Sequence, residues 1–587
     1  MRYFFDLESN GLLDKIDRIH CIVLKDMDTG ISESFFGGDM LRISLAVSTL
    51  QEATEICGHN IIGYDIPAIK LLFPTFSPSG RVTDTLVLSR LIHGDLFNED
   101  AAAPPSDMFK KRQWGSHGLS AWGIRLGNYK GDYTGGWENF SDEMLDYCVQ
   151  DVEVTATLHE KLMATKPSEV SVGLEHELAE ICFRVGGNGW TFDSKLAGDL
   201  YAELAGKRQQ LQTELDTLFP PWEVSDTFVP KRNNKTLGYI KDEPFEKKKL
   251  VEFNPSSRRH IEKCLRDKYD WKPKVFTNDG HAQIDEVVLG KLKQFPEAQK
   301  LANMFLLQKR IGQLAEGPQA WLKKVNSDGR IRHSIISGGT ISGRASHRGP
   351  NLAQVPKSGL LYGERCRELF TGPPGWTLLG SDLAGLELRC LAHYINDDEY
   401  TAQILMGDIH TYNAQAFGVD RNTAKTMIYA MNYGAGDALV GQIGGGKARL
   451  GKQLKENYDE QVPAFAKLKS GIAQAYKQRG FLFGLDGRKL AIRSEHKCLS
   501  QLLQSAGAIL CKKWVALIDE QIRERSYEVY MVGWIHDEVQ IACKNKEIAE
   551  DVGDIARRMA KEAGAYFKTN IPIEADFGLG RTWADTH

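Results

Sequence analysis

Residues 377–394 read TLLGSDLAGLELRCLAHY, and this stretch decides the fold. An apolar run typical of a buried strand reaches Asp382, and the spacing of the residues after it predicts a helix. Later in the chain, YMVGWIHDEVQIAC (530–543) has two apolar arms around an acidic tip, which predicts a β-hairpin carrying Asp537 and Glu538. An unpaired charge in so apolar a stretch is costly. We therefore expect a functional tip, with a purely structural role for Glu538 as an equal alternative.

The segment DRNTAKTMIYAMNYGAG (420–436) predicts a helix with one basic and aromatic face. Arg421, Lys425, Tyr429 and Tyr433 recur every four residues, so they lie along one slowly drifting face. Two fixed cations followed by aromatic rings suit a nucleoside triphosphate, because the charges match the phosphates and the flat rings match sugar and base. A solvent-facing basic helix is the alternative for this segment taken alone.

A second set of acids lies near the N-terminus. Asp6 and Glu8 are two residues apart on a predicted strand, so both side chains point to one face. Two carboxylates this close repel each other once desolvated, which favours a bound cation. Asp65 follows in HNIIGYD, and Tyr147 and Asp151 lie one helical turn apart in YCVQD. Together they suit two divalent cations about 3.5–4 Å apart, a pair that activates water on a phosphodiester. Surface acids of an ordinary α/β domain are the alternative.

The composition sets the class of protein. At 587 residues the chain is too long for one hydrophobic core, and roughly 150 residues per domain predicts about four domains. With 42% hydrophobic and 26% charged residues, it fits soluble globular proteins, and no run approaches the ~18 apolar residues of a membrane helix. Acids in MRYFFDLESNGLL exclude a signal peptide, and ten scattered cysteines indicate reduced thiols in a cytosolic protein. A net charge of -4 leaves nucleic-acid binding open.

The predicted secondary structure changes along the chain. Residues 1–166 mix strands with helices, whereas residues 174–218 show two helical stripes, the second with Asp193 as a plausible N-cap. Residues 219–252 are predicted to be irregular and basic, either as a solvated loop or as a loop that contacts phosphates. A further helix is expected near 297–314, and the α/β texture returns past residue 330.

These segments closely resemble motifs A, B and C of the family A DNA polymerases, the DNA polymerase I superfamily. The resemblance is strongest to the replicative polymerases of short-tailed phages related to phage T7. The N-terminal acids resemble the three motifs of the DnaQ-like 3′→5′ exonucleases. Further matching segments are FNPSSRRHI (253–261), SGRASHRGPNLAQVP (342–356), GDIHTYNAQ (407–415), LDGRK (485–489) and LLQSAGA (502–508).

The resemblance implies a multidomain α/β and α+β fold, with a ribonuclease-H-like exonuclease domain followed by a right-hand polymerase domain. The expected parts are the exonuclease domain (1–166), the thumb (174–325), the first palm segment (326–394), the fingers (395–495) and the second palm segment (496–587).

The resemblance also implies residue roles. Asp382, Asp537 and the carbonyl of Leu383 would hold two Mg²⁺ ions, with Mn²⁺ as a substitute. In the exonuclease, Asp6, Glu8, Asp65 and Asp151 would be metal ligands and Tyr147 would orient the attacking water. The nucleotide-binding set would be Arg421, Lys425, Tyr429, His410, Tyr433 and Glu387, the last as the gate against a ribose 2′-hydroxyl. Arg344 and Gln504 would read the minor groove, with His536 and Glu538 in support.

Two positions depart from bacterial relatives. Tyr429 stands where repair polymerases usually have Phe, which predicts efficient use of dideoxynucleotides. Ser500 stands where relatives commonly have Asn, and its shorter side chain places that minor-groove contact in doubt.

The implied function is a template-directed, DNA-dependent DNA polymerase with a proofreading exonuclease, replicating a phage genome in the cytoplasm of the infected host. Its implied partners are primer-template DNA and dNTPs, with helicase–primase and single-stranded DNA-binding protein as further candidates and no membrane. A thioredoxin clamp is not expected, because residues 219–252 are too few for the insertion that recruits it in phage relatives. The alternatives are a single-subunit RNA polymerase, a catalytically dead DNA-binding scaffold, and a repair polymerase, for which no 5′-nuclease domain precedes the exonuclease.

Overall fold

The computed structural model describes residues 1–36, 40–103, 108–129, 131, 133–277 and 279–587. The chain forms two compact units. The first comprises Met1–Thr191, Arg332–Val355 and Thr371–His587, and the second comprises Phe192–Ile331 and Pro356–Phe370. Among the described helices, none has the length and apolarity that a bilayer crossing requires.

The N-terminal part of the first unit is built on a five-stranded sheet of order β3-β2-β1-β4-β5, in which β1 pairs antiparallel with β2 and parallel with β4. Its elements are β1 (Arg2–Ser9), β2 (Ile19–Asp26), β3 (Ser32–Phe36), α1 (Met40–Glu52), β4 (Glu55–Gly58), α2 (Asp65–Leu72), β5 (Arg81–Asp84), α3 (Thr85–Ile92), α4 (Leu96–Ala102), α5 (Leu119–Leu126), α6 (Asp142–Met163) and α7 (Glu169–Asn188).

Strand alternation fixes where the N-terminal acids point. Phe5 and Leu7 are buried in one cluster, whereas Phe4 is buried in another with Cys148 and Val152 of α6. Because successive side chains of a strand point to opposite faces, the acids two and four residues beyond Phe4 share the face that α6 covers.

The second unit is mainly helical. Its elements and those at its borders are β6 (Trp190–Phe192), α8 (Ser194–Leu218), β7 (Trp222–Phe228), β8 (Phe245–Val251), α9 (Arg258–Tyr269), α10 (Glu286–Lys291), α11 (Pro296–Ile311), α12 (Trp321–Lys324) and β9 (Arg330–Ile331). Asp193 caps α8 by accepting from the Leu196 N–H at 2.8 Å, as its position predicts. Leu215, Ile261, Leu265, Leu301 and Met304 lie at the centre of the core.

The connection 219–252 is not irregular throughout, contrary to the sequence-based expectation. Strands β7 and β8 form an antiparallel ladder from Trp222↔Val251 to Phe228↔Phe245. Its charged residues hide the strand pattern, because neither strand has a buried face to produce apolar alternation. Cross-strand pairing and aromatic contacts hold it instead.

The remaining elements are β10 (Ser334–Ile336), β11 (Ser346–Arg348), α13 (Gly363–Arg367), β12 (Phe370–Thr371), β13 (Thr377–Leu383), α14 (Leu386–Ile395), α15 (Asp398–Leu405), α16 (Ile409–Phe417), α17 (Arg421–Asn432), α18 (Asp437–Ile443), α19 (Ala448–Gln461), α20 (Pro463–Arg479), β14 (Leu482–Phe483), β15 (Lys489–Leu490), α21 (Cys498–Glu524), β16 (Val529–Ile535), β17 (Glu538–Cys543), α22 (Lys546–Tyr566) and β18 (Ala575–Gly580). A four-stranded antiparallel sheet of order β16-β17-β13-β18 carries the quoted stretch 377–383 on its inner strand β13.

Helix α7 contains residue 174, at which the expected thumb begins. Its apolar stripe, including Leu174, Leu178 and Ile181, packs in the same cluster as Leu379 of β13 and Trp514 of α21. The stripe was visible in the sequence, but its packing partner lies more than 190 residues away. The helix therefore belongs to the first unit, which extends to Thr191.

Candidate catalytic sites

The first cluster of acids lies at one end of the four-stranded sheet. Asp382 on β13 pairs in register with Glu538 on β17 and with Asp576 on β18. The Leu383 N–H donates to the Asp537 carbonyl at 3.1 Å, which ties the hairpin turn to the same strand end. His536 in this turn has a left-handed backbone (φ 60°), so the chain reverses between two strands in only two residues. The expected pair Asp382 and Asp537 is thus brought together, and Asp576 joins it.

Electrostatic repulsion at this strand end favours cation binding. Partial desolvation, and then the charges of Asp537 and Glu538, raise the pKa of Asp382. Burial likewise raises the pKa of Asp537, although His536 and Arg344 oppose the shift. Mutually repelling carboxylates lose this repulsion when a divalent cation binds, and carboxylate oxygens are the ligands that Mg²⁺ and Mn²⁺ take. The donor set therefore fits hard divalent ions.

Glu538 is held differently from its two neighbours. Its carboxylate is buried, accepts from Trp583 Nε1 at 2.6 Å and Gln540 Nε2 at 2.7 Å, and lies 2.9 Å from His587 Nε2. These contacts fix the carboxylate beside Asp382. Sequence reasoning found neither Trp583, His587 nor Asp576, because these residues become neighbours of Glu538 only when β18 and the segment after it fold onto the sheet.

The cations of α17 face residues of α16. Arg421 Nε donates to Asp408 Oδ2 at 2.7 Å, and burial followed by the charges of Lys425 and Arg421 lowers the pKa of His410. His410, Arg421 and Lys425 therefore form one basic cluster. Asp408 was missed as a partner, although its position as the N-cap of α16 is a recognisable signal.

Aromatic residues of α17 connect this cluster with the carboxylates. Burial raises the pKa of Tyr429, and the charges of Glu387 and Asp537 add to the shift, which places all three near one another. The hydroxyl of Tyr433 donates to Glu387, whose Oε1 also accepts from Arg344 at 3.2 Å. Glu387 is thus fixed from two sides.

The expected minor-groove readers lie on separate elements. Arg344 precedes β11 and bonds Glu387, while Gln504 on α21 donates to the Ser500 hydroxyl at 3.0 Å. Ser500 is buried one turn before Gln504. It therefore positions the amide of Gln504 and does not present a group of its own to the surface.

The second cluster of acids lies between β1 and α6. Ligand atoms of Asp6, Glu8 and Cys148 all lie within 4.8 Å of one another. Cys148 Sγ donates to Asp6 Oδ2 at 3.5 Å, and burial raises the pKa of this thiol well above its usual value. The thiol therefore stays protonated, which leaves the two carboxylates as the candidate cation ligands of this trio.

Asp65 and Asp151 complete the second cluster. Asp65 is buried at the start of α2 and accepts from the Leu7 N–H, between the two acids of β1. Burial, together with the charges of Asp84 and Asp151, raises its pKa to about 8. Tyr147, one turn before Asp151, packs near Tyr133 with ring centroids 5.7 Å apart. All five predicted residues are thus brought to one region. A divalent cation would relieve the mutual repulsion of the four acids.

Asp84 is a residue that the sequence reasoning missed. Its buried carboxylate accepts from the N–H groups of Asn60 at 2.8 Å, Ile62 at 3.1 Å and Leu86 at 2.9 Å. Its own N–H donates to His176 Nε2 on α7 at 2.8 Å. Asp84 therefore fixes the loop that leads to Asp65. The N-cap pattern at the start of DTLVLS was the available signal.

Comparisons with known proteins are consistent with this geometry. The protein-family model for DNA polymerase family A matches residues 229–585. The DNA-directed DNA polymerases of Enterobacteria phage T3 and Escherichia phage T7 are each 35% identical, over 703 and 708 aligned positions, covering 99% of this chain and 99% of the relative. DNA polymerase I of Aquifex aeolicus is 24% identical over 56% of this chain and 58% of its own length. The solved POL domain of Pol1 from M. smegmatis, in complex with DNA primer-template and dNTP, has the same fold, with a TM-score of 0.74 at 17% identity over 100% of this chain and 97% of that one.

Proposed function

The chain belongs to DNA polymerase family A, and on that premise we propose that it is a template-directed, DNA-dependent DNA polymerase with a proofreading 3′→5′ exonuclease that replicates a bacteriophage genome. The observation that carries the proposal is the meeting of Asp382 and Asp537 at one end of the four-stranded sheet, where the charge of Asp537 also acts on Tyr429 of α17.

In the polymerase site, Asp382, Asp537 and the carbonyl of Leu383 would hold two Mg²⁺ ions, with Mn²⁺ able to replace them. When bound, such a pair lowers the pKa of the primer 3′-hydroxyl and stabilises the leaving pyrophosphate. The chain itself supplies position and charge. Arg421, Lys425 and His410 neutralise the triphosphate, and Arg421 exchanges Asp408 for phosphate oxygens when the nucleotide arrives.

Nucleotide selection is assigned to the groups around Glu387. Arg344 and Tyr433 hold this carboxylate in place, so it blocks the space that a ribose 2′-hydroxyl would occupy. Tyr429 lies beside it and offers a hydroxyl to the incoming sugar and triphosphate. Arg344 and Gln504 read the minor groove of the primer terminus, where acceptors common to all correct pairs allow fit to be checked.

In the exonuclease site, Asp6, Glu8, Asp65 and Asp151 would hold the metal ions and Tyr147 would orient the attacking water. Metal ions in such a site activate water and stabilise the leaving oxygen of the terminal phosphodiester. Asp84 contributes by holding the loop before Asp65. The buried side chains keep the site rigid before substrate binds.

We assign the exonuclease domain to residues 1–166, the fingers to 395–495 and the palm to 326–394 with 496–587. We assign the thumb to residues 174–325, most of which lie in the second compact unit.

Primer-template DNA and dNTPs are the proposed ligands, and helicase–primase and single-stranded DNA-binding protein are proposed partners in the cytoplasm of the infected host. Thioredoxin is not required in this proposal. The alignment with the phage T7 relative spans 708 positions, more than the 587 residues of this chain, so that relative carries more than a hundred positions without a counterpart here. A primer-extension assay in which added thioredoxin greatly lengthens the products would contradict this part.

The deciding experiment incubates the purified chain with a primed template and Mg²⁺. We expect extension with dNTPs, degradation of the primer without them, and little incorporation of rNTPs because of Glu387. Preferred use of rNTPs would instead indicate an RNA polymerase, and the absence of both metal-dependent activities would indicate a DNA-binding scaffold.

A further inference from the structure

Helix α7 contributes a buried histidine to the surroundings of the exonuclease cluster. The Nε2 atom of His176 accepts from the Asp84 N–H at the end of β5 at 2.8 Å, and its Nδ1 lies 2.8 Å from the Val172 carbonyl oxygen. A backbone N–H can only donate and a carbonyl can only accept. The two contacts therefore place the ring proton on Nδ1 and leave Nε2 as the acceptor. The ring thus holds the Asp84 backbone to α7 in one orientation.

This bond matters because Asp84 organises the loop 59–64, which leads to Asp65. The Asp84 carboxylate accepts from the N–H groups of Asn60 and Ile62, both near the start of the loop. Asn60 has a left-handed backbone (φ 66°), so the chain turns sharply at this point. The path of the loop therefore depends on where the Asp84 backbone is held.

The loop is also tied to β1 at its far end. The Tyr64 hydroxyl lies 2.5 Å from Ser9 Oγ and donates to the Gly11 carbonyl at 2.7 Å. Asp65, the next residue, accepts from the Leu7 N–H of β1. Asp65 is therefore held between two anchors, with β1 on one side and the bonds of Asp84 on the other.

Helix α7 is itself firmly held. Glu175, the residue before His176, is buried and pairs with Arg488 at 2.7 Å and with Lys512 of α21. Ser168, at the start of the helix, donates to the Asp486 carbonyl at 2.5 Å. Hydrogen bonds between charged groups are strong and directional. His176 therefore offers Asp84 an acceptor whose position is fixed from outside the N-terminal sheet.

We propose that His176 is a positioning residue of the exonuclease, which acts through Asp84 and the loop 59–64 to hold Asp65 where the metal ions bind. The inference rests on the proposed exonuclease function and adds to it a residue outside the assigned domain 1–166. Loss of the acceptor would leave the buried Asp84 N–H without its partner, which is costly enough to move the backbone. A displaced Asp65 would then bind cations less well.

The test removes the acceptor in two ways and restores it in a third. His176→Phe keeps a flat ring of similar size, and His176→Asn keeps an amide that is too short to reach Asp84. His176→Gln places its Oε1 near the position of Nε2 and so supplies an acceptor again. Glu169→Gln is the matched control, because Glu169 of α7 pairs with Arg81 of β5 at 3.2 Å and so joins the same two elements.

We measure single-turnover degradation and extension as functions of Mg²⁺ concentration, hydrogen exchange of the loop 59–64, and the thermal midpoint. His176→Phe and His176→Asn are expected to slow degradation about tenfold and to raise the Mg²⁺ concentration that half-saturates it, because partners that orient metal ligands have effects of this size. Exchange in the loop should become faster. Extension and its Mg²⁺ dependence should match the wild type.

His176→Gln should recover most of the degradation rate, and Glu169→Gln should behave as the wild type does. Unchanged degradation and exchange in His176→Phe and His176→Asn would overturn the role of His176 while leaving the exonuclease assignment intact. Equal degradation by His176→Gln and His176→Asn, or equal losses of degradation and extension, would overturn it too. A wild type that extends primers but degrades none would overturn the proposed exonuclease itself, and the role of His176 with it.

Discussion

The two carboxylate clusters differ in how their acids meet water. In the polymerase cluster, Asp382 and Asp537 reach the surface at a strand end and a hairpin turn. In the exonuclease cluster, Asp65 and Asp151 are buried, and burial with neighbouring acids raises the pKa of Asp65 to about 8. The same residue type is thus exposed at a strand end in one cluster and partly or fully buried in the other.

This difference determines how much carboxylate repulsion a bound cation would relieve at each cluster. Water screens the repulsion between the exposed acids, whereas the buried ones have no comparable screening. A third acid completes the comparison, because Glu175 on α7 is buried together with its own cations, Lys512 and Arg488. The buried acids Glu175 and Asp65 therefore differ, because Glu175 lies between its own cations whereas Asp65 lies near other carboxylates.

The largest expected effect is a loss of nucleotide addition that leaves primer degradation intact, which would show that the two clusters act independently. Asp382→Ala and Asp537→Ala should each slow nucleotide addition by about a thousandfold or more, since several kcal/mol of metal-mediated stabilisation is lost. Primer degradation should persist at the wild-type rate. Single-turnover extension and degradation assays measure both, and loss of degradation in these variants would show that the two clusters are not independent.

The reciprocal change is Asp6→Ala with Glu8→Ala. Degradation should fall by a similar factor, because two of the four proposed ligands are removed, while extension continues. The same assays apply, with Asp14→Ala, a loop acid outside both clusters, as the matched control. If extension also stopped, the two-site description would be wrong.

Glu175→Gln tests the buried acid that has its own cations. The variant leaves Lys512 and Arg488 without their shared charge, so the free energy of unfolding should fall by about 3–5 kcal/mol. Burial alone would raise the pKa of Glu175, but the charges of Lys512 and Arg488 outweigh it and hold the pKa at about 2. Because the folded-state pKa is lowered, this contribution is full above about pH 4.5 and declines as the pH falls towards 2. Denaturant unfolding of both proteins across that range measures it, and equal stability would remove the contrast with Asp65.

In metal-free buffer, Asp65→Asn should stabilise the fold, whereas Glu175→Gln should destabilise it. An amide can still accept from the Leu7 N–H but adds no charge beside Asp84 and Asp151, so the free energy of unfolding should rise by about 1 kcal/mol. Asp382→Asn, at the exposed cluster, serves as the comparison and should change stability less. Destabilisation by Asp65→Asn would contradict the inference that Asp84 and Asp151 repel this acid when no cation is bound.

Tyr429→Phe tests whether the Tyr429 hydroxyl allows the use of dideoxynucleotides. If the Tyr429 hydroxyl replaces a contact normally made by the nucleotide's own 3′-hydroxyl, its loss should lower dideoxynucleotide use about tenfold, the value of one hydrogen bond to a charged partner. Use of ordinary dNTPs should change little. Incorporation ratios measure this, and unchanged discrimination would assign the selectivity elsewhere.

Local sequence patterns predicted the strands and helices that carry the candidate catalytic residues. Continuous apolar runs gave β13 and the hairpin β16–β17, helical spacing gave α17, and an N-cap residue gave the start of α8. What remained hidden depends on contacts distant in sequence. The Glu175–Lys512 pair joins residues 337 positions apart, and Asp84 meets His176 across 92 positions. The ladder β7–β8 was missed because it buries no face.

The most direct test of the two-cluster account is anomalous scattering from a crystal grown with primer-template DNA and Mn²⁺. The account predicts strong peaks between Asp382 and Asp537 and separate peaks among Asp6, Glu8, Asp65 and Asp151. Peaks at neither cluster, or ions held by residues outside both, would contradict it.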